Sequence, residues 1–264
     1  MDLKLAGKTA LVSGSTGGIG LAIAQALAQE GASVIINGRS EERVKQAIDT
    51  IKASMPDASL SSAAADLSTR EGAEQLFQQV PTIDILVNNL GIFEPKAFGD
   101  ITDEDWLRFF EANVLSGVRL SRQYLPQMLE RDWGRIIFIS SESAVQIPVE
   151  MIHYGMTKTA QLAIARGLAE MTVGTGVTVN SVLPGPTRSE GVGDFVTKMA
   201  NDRGVTVDQI EKEFFESVRP SSLIQRFATV EEVAALVTYV SSPVSSATNG
   251  AALRVDGGVV RSIL

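Results

Sequence analysis

The sequence predicts a doubly wound α/β fold: one parallel seven-stranded sheet with helices on both faces. Three observations predict it. Short β-prone runs alternate with helical patterns from Lys8 to Val255, and no linker, repeat or low-complexity stretch divides them. The first β-prone run stops at a glycine-rich turn, Gly14-Ser15-Thr16-Gly17-Gly18-Ile19-Gly20, that opens directly into a helical pattern. With 264 residues, 44% hydrophobic and 20% charged, the chain can bury a large core as one domain over 1–264.

Lys8–Ser13 is the first strand signal, and Ile19, Ala22, Ile23, Ala26 and Leu27 recur at helical spacing until Gly31. Strand, glycine turn and helix in this order form a phosphate cradle, because glycine lets the backbone approach closely and a helix N-terminus faces negative charge. Ser33–Asn37 is the second strand, followed by Gly38-Arg39-Ser40. A dinucleotide's adenosine ribose is read about 20 residues beyond the glycine turn, by an acid for a free 2′-hydroxyl or by arginine for a 2′-phosphate. Here the acid is missing and Arg39 is present, which predicts NADP(H) over NAD(H), with no second basic residue at Gly17.

Ser40, Glu41 and Glu42 open a helix to about Ser54, and Pro56 follows. Leu60–Ala65 is a weak strand ending at Asp66-Leu67, and Ser68-Thr69-Arg70-Glu71 reads as a capping box for the next helix. Ile83–Val87 is a buried strand running into Asn88-Asn89-Leu90-Gly91. Thr102–Asp105 caps a long helical region through Leu129 that carries Asn113. Arg135–Ile139 is a strand with Ser140 and Ser141 at its C-terminal end. A helix with Tyr154 and Lys158 runs to about Val173, then Val177–Leu183 forms a strand that stops at Pro184-Gly185-Pro186. Thr229–Glu232 caps a last helix, and Ala251–Val255 is the last strand.

One segment breaks the alternation. Between Thr187 and Leu223 the chain is charged and carries no strand signal. Phe195, Val196 and Met199 mark one short helix stopped by Gly204; Thr206 with Gln209 caps a second, bearing Ile210, Phe214 and Val218. An insertion of this length in a compact domain reads as a substrate lid over about 187–223.

Composition removes several chemistries. Without cysteine there is no disulfide or thiolate-held metal, and His153 is the only histidine, so no metal site is expected. A net charge of −8 argues against nucleic acid as a partner. No apolar run approaches the ~18 residues of a membrane span. Gly7 and Lys8 interrupt any leader-like region, so cytoplasmic residence is expected.

Tyr154 and Lys158 lie four residues apart, on one face of a helix. An ammonium held there favours the phenolate and lowers the tyrosine pKa from its ordinary ~10, which suits a general acid and base for carbonyl–alcohol exchange.

Taken together, these residues resemble the short-chain dehydrogenase/reductases of the single-domain, classical type, over essentially the whole chain. Ser13-Gly14-Ser15-Thr16-Gly17-Gly18-Ile19-Gly20 matches their TGxxxGxG loop with Ser leading, Asn88-Asn89-Leu90-Gly91 their NNAG motif with Leu for Ala, Tyr154/Lys158 their YxxxK, and Pro184-Gly185 their PG. Ser141 stands thirteen residues before Tyr154, the family's usual interval. The resemblance implies a Rossmann fold and a catalytic set of Asn113, Ser141, Tyr154 and Lys158. Tyr154 would protonate the carbonyl oxygen, Ser141 would hydrogen-bond it, Lys158 would hold the ribose, and Asn113 would anchor a water. It implies cofactor contacts at Gly14, Ser15, Thr16, Gly18, Ile19, Gly20, Asp66, Leu67, Asn89, Gly91, Pro184, Gly185, Thr187 and Ser189, besides Arg39. It also implies a homotetramer, with the Asn113 and Tyr154 helices at one interface and the apolar end of the chain at another.

The substrate pocket should be walled by residues 142–152, where Val145, Ile147, Val149, Met151 and Ile152 suggest an apolar surface, and by the lid. A small-molecule ketone, aldehyde or secondary alcohol ranks first. Reduction of a 3-oxoacyl group on an acyl carrier ranks below it, because an acidic enzyme with little local basic charge is a poor dock for an acidic carrier. A non-catalytic dinucleotide-sensing protein ranks lower still, since all four catalytic residue types are present.

Overall fold

The computed structural model describes residues 1–263, apart from the side chains of Asp194 and Phe195. The expected contributions of the Phe195 side chain and of Leu264 lie outside the described residues. Seven strands, β1 (Thr9–Val12), β2 (Ser33–Gly38), β3 (Leu60–Ala64), β4 (Ile85–Asn88), β5 (Gly134–Ile139), β6 (Val177–Pro184) and β7 (Ala252–Val255), form one sheet in the order β3-β2-β1-β4-β5-β6-β7. All six pairings are parallel. The chain winds outward from β1 to β3, then returns to pair β4 with β1, Val12 lying opposite Val87. That reversal opens a crevice at the C-terminal ends of β1 and β4, where ligands of such sheets bind.

Strand alternation divides the core. Val12, Ile36, Val87, Ile137, Ile139 and Val182 face α1 (Gly18–Gln29), α2 (Glu41–Ser54) and α9 (Val230–Val240). Their neighbours Leu11, Ile35, Leu86, Ile136, Phe138 and Val179 face α3 (Arg70–Gln79), α5 (Ser116–Glu130) and α6 (Ile152–Glu170). Because helices cover both faces, the strands β4, β5 and β6 are buried throughout, including Arg135, Thr178, Asn180 and Ser181.

Three of the four expected capping boxes form. Thr102 with Asp105, Thr206 with Gln209 and Thr229 with Glu232 form reciprocal boxes, opening α4 (Asp103–Phe110), α8 (Val207–Ser217) and α9. The expected Ser68–Glu71 box does not form. Thr69 caps α3 instead by accepting from the Gly72 amide, and the residue that would reciprocate is a glycine. Ser68 turns its hydroxyl to Asp66 Oδ1 at 2.7 Å. The expected long helix around Asn113 is interrupted as well: a π-helical turn over Glu111–Leu115 joins α4 to α5 and carries Asn113. Such turns widen the helix locally and re-aim a side chain.

The segment after β6 forms α7 (Glu190–Arg203) and α8, with Gly204 left-handed between them at φ +64°. The pair has its own core of Val196, Ala200, Ile210, Phe215 and Phe227, in which the rings of Phe214, Phe215 and Phe227 stack about one another. Val218, expected on the apolar face of α8, falls at its C-cap and is exposed.

Candidate active site

The crevice is built first by backbone. Gly14 and Gly18 take φ of +62° and +54°, which lets the chain turn from β1 into α1. Gly17 caps α1 without a side-chain bond, so no side chain of its own occupies the first amides of that helix. Gly20 is close-packed: a Cβ there would lie 2.5 Å from both Asn89 Nδ2 and the Gly14 carbonyl oxygen. Asn89 fastens the end of β4 to this turn, donating from Nδ2 to the carbonyls of Ser13 at 2.9 Å and Gly14 at 3.0 Å. Leu90, where the family pattern has Ala, packs its Cδ1 into the space left by the missing side chain of Gly14. Ser15 is wholly buried, its hydroxyl bonded to the Val12 carbonyl and the Asn37 amide and its own amide to the Asn37 carbonyl, so it holds the turn to β2. Thr16 packs over Gly38 at the end of β2, and Ile19 lines the cavity.

The rim beside β2 carries charge. Arg39 is exposed and has no ion pair among the described residues. Arg43, one turn into α2, was not foreseen from sequence; it approaches Glu190 of α7 at 3.9 Å, across the surface of Gly17. Asp66 closes β3, its Oδ1 accepting from the Ser68 amide and hydroxyl, while the Leu67 side chain is buried in the core and leaves only its backbone for contact. A helix terminus without a side-chain cap, opening over glycines, fits the pyrophosphate of a nicotinamide dinucleotide.

Beyond β4, β5 and β6 lies a cavity of about 570 Å³, lined by Asn89, Gly91, Ser141, Tyr154, Lys158, Pro184, Gly185, Thr187 and Ser189 together with the inner faces of α7 and α8. Ser189 begins α7 without making a capping bond, so its hydroxyl is left for a ligand. Thr187 is buried, its hydroxyl held by the Gly185 carbonyl at 2.9 Å. Of the expected apolar wall only Met151 lines this cavity. Val145, Ile147 and Val149 are exposed, and Ile147 covers Gly155 on the outer side. The apolar wall comes instead from Ile92 and Phe93 after β4 and from Val192, Val196, Met199 and Phe214.

Asn113 is fixed by three bonds: Oδ1 accepts from the Ile92 amide at 2.7 Å, and Nδ2 donates to the Ile92 carbonyl and to Thr157 Oγ1, both at 3.0 Å. Its carbonyl accepts from Gln161 Nε2 at 2.6 Å, and Gln161 Oε1 faces Lys158 Nζ at 3.4 Å. Gln161 thus links Asn113 to Lys158 directly. It stands one helical turn beyond Lys158, a spacing from which it could have been found. Ser140, next to Ser141, donates its hydroxyl to the Lys158 carbonyl at 2.9 Å.

Lys158 is buried, with Nζ 2.8 Å from the Ile139 carbonyl and 5.6 Å from the Tyr154 ring centre. Burial brings its pKa down from 10.5 to about 8. The tyrosine departs from expectation. Its pKa lies above the ordinary phenol range, through burial first and the nearby Glu142 charge second, which together outweigh the Ser141 hydrogen bond and Arg219. Burial disfavours the phenolate, the Lys158 ammonium is drawn to the Ile139 carbonyl at the end of β5, and a buried carboxylate shares the cavity. That carboxylate, Glu142, accepts from Ser141 Oγ at 2.5 Å and from Arg219 Nε at 3.1 Å. His153, beside Tyr154 in sequence, turns away between Phe109 at 4.0 Å and Trp106 at 6.0 Å and does not line the cavity. Among the described residues no group of three or more acidic or histidine side chains could hold a metal, and no helix is long and apolar enough to cross a membrane.

Comparison with known proteins agrees with this geometry. The family model for short chain dehydrogenase matches residues 8–200. An uncharacterized oxidoreductase of Bacillus subtilis, YvaG, is 56% identical with both chains covered in full, and D-beta-hydroxybutyrate dehydrogenase of Cupriavidus necator is 35% identical over 97% of this chain and 99% of its own. The crystal structure of L-sorbose reductase from Gluconobacter frateurii, complexed with NADPH and L-sorbose, superposes with a TM-score of 0.92 at 31% identity, each chain covered in full. The chain therefore belongs to the short-chain dehydrogenase/reductases, and is an oxidoreductase that acts on CH–OH groups with a nicotinamide dinucleotide.

Proposed function

We propose that this protein interconverts a small ketone or aldehyde and its alcohol with NADP(H), Tyr154 serving as general acid and base. The observation that carries the proposal is the convergence of Ser141, Tyr154 and Lys158 on one wall of the cavity that continues to the glycine turn. When bound, the dinucleotide supplies or accepts the hydride at the carbonyl carbon. In reduction, Tyr154 gives its phenolic proton to the carbonyl oxygen as the C–O double bond becomes single, and Ser141, its hydroxyl turned from Glu142 to that oxygen, steadies the charge growing there. A phenol held above its ordinary pKa stays protonated and ready to donate. Lys158, no longer drawn only to Ile139 once ribose hydroxyls are near, would then stabilise the phenolate left behind. Asn113, tied to Lys158 through Gln161, holds that lysine in place.

Arg39 supports NADP(H) over NAD(H): it is an exposed guanidinium with no ion pair among the described residues, at the position where a 2′-phosphate would sit. The α7–α8 pair would act as the substrate lid, because its inner face completes the cavity. Exposed Leu107 and Phe110 on α4 are consistent with burial in a homotetramer, which light scattering at micromolar concentration tests. The direct test of the function is NADPH and NADH oxidation over a panel of ketones, keto-sugars and 3-oxoacyl thioesters, with Tyr154→Phe as control. A loss of about 10²–10⁴-fold in Tyr154→Phe with NADPH binding retained is the expected result. Equal turnover in the variant would overturn the assignment, and a strong preference for carrier-bound substrate would replace the small-molecule reading.

A further inference from the structure

The reaction needs Ser141 and Tyr154, but the cavity places more charge beside them than the reaction explains. Glu142 follows Ser141 and is 5% exposed; Arg219, which reaches it from the turn after α8, is 8% exposed. The same guanidinium donates from Nη1 to Glu150 Oε1 at 3.3 Å and to the Val218 carbonyl at 3.0 Å. Glu142, Glu150 and Arg219 all line the cavity that holds Tyr154. One cation therefore serves two carboxylates. The cavity's other charged groups are engaged elsewhere among the described residues: Lys158 at the Ile139 carbonyl, and Arg203 with Glu213 at 2.6 Å on the exposed side.

This arrangement has a consequence for what can enter. A carboxylate offers about four acceptor positions. Each oxygen of Glu142 has one partner, and Glu150 Oε2 has none among the described side-chain bonds, so acceptors are in surplus. A hydroxyl on a substrate would find them. An anionic substrate would find no free cation near Ser141 and Tyr154, and would face the Glu142 carboxylate in a confined, poorly hydrated space, where like charges repel strongly. Resting on the function proposed above, we propose that Glu142 and Glu150, bound through Arg219, set substrate class: uncharged carbonyl compounds bearing a hydroxyl near the carbonyl, such as hydroxyketones and ketoses, in preference to keto acids.

The test uses the full chain with NADPH and matched pairs: hydroxyacetone against pyruvate, and D-fructose against 5-keto-D-gluconate. The neutral member of each pair should have the higher kcat/KM by roughly 100-fold, and butanone, lacking the hydroxyl, should fall below 1-hydroxy-2-butanone by roughly tenfold. Glu142→Gln, which keeps shape and removes charge, should compress the neutral-to-acid ratio by roughly tenfold. Glu150→Gln, at a half-exposed position on the rim, carries the same test should the buried variant fail to fold. In Tyr154→Phe saturated with NADPH, D-fructose should raise the melting temperature and 5-keto-D-gluconate should not, a readout independent of turnover. Equal or better use of keto acids by the unaltered enzyme, or a ratio unmoved in both Gln variants, would overturn the inference while leaving the function in place. An enzyme that neither binds NADPH nor reduces any carbonyl of the panel would overturn both.

Discussion

Replacing Lys158 by methionine should make the protein more stable near neutral pH while destroying its activity. Burial lowers the Lys158 pKa from 10.5 to about 8, so below pH 8 the folded protein holds a desolvated ammonium. At 1.36 kcal/mol per decade, that depression costs about 3 kcal/mol of stability at pH 7. Methionine removes the cost but also the 2.8 Å bond to the Ile139 carbonyl, a charged hydrogen bond of about 2 kcal/mol. The net expectation for the cofactor-free protein is a gain of about 1 kcal/mol, or roughly 2–4 °C in melting temperature. The pH dependence separates the two terms. A depressed folded pKa means that the unfolded chain binds more protons between pH 8 and 10.5, so the wild-type protein gains stability as pH rises through that window. Lys158→Met lacks this gain, and the difference between the two should swing by about 3 kcal/mol in favour of the wild type. Urea denaturation of both proteins at matched concentration from pH 7 to 10.5 measures it. A difference that stays flat across the window would refute the claim that desolvation governs Lys158.

Arg39→Asp should lower the NADPH-to-NADH ratio of kcat/KM by roughly tenfold or more, and Arg43→Ala by less; steady-state kinetics with both dinucleotides checks this. Gly20→Ala should weaken NADPH binding by roughly tenfold or more in a titration, because its Cβ would meet the Gly14 carbonyl oxygen at 2.5 Å and force the turn apart. His153 is held below its ordinary pKa of 6.5 by burial, so the unfolded chain takes up its proton first as pH falls. Stability should therefore decline below pH 6.5 through this group, and His153→Leu should show a shallower decline between pH 7 and 5 in denaturant titrations.

Much of the molecule is local, and the local part was legible. The glycine turn, the end of β4 and the Tyr154 helix are each specified by residues within one turn or one strand of one another. The run Lys8–Ser13 reads as a strand, and in the structure its Val12 and Leu11 face opposite sides of the sheet. The capping boxes at Thr102, Thr206 and Thr229 are three-residue patterns, and all three form. Where a local pattern misled, a local competitor had won: Ser68 prefers Asp66, and Thr69 caps in its place.

The sequence by itself determined the alternation of strands and helices, the glycine turn after β1 and the helix caps, because periodicity, glycine geometry and capping act over a few residues. Only the tertiary structure decided the electrostatics of the site. Arg219 and Glu142 are 77 residues apart in the chain and meet at 3.1 Å only because the turn after α8 folds back over the end of β5. Burial of Tyr154 first, and the Glu142 charge held in the same cavity second, raise a pKa that the Tyr154–Lys158 spacing alone would lower. Likewise Val145, Ile147 and Val149 look like a pocket wall in the chain but point outward, since burial is assigned by packing against distant elements. Desolvation and long-range charge depend on where the chain returns, and that is settled by the packing of the whole fold.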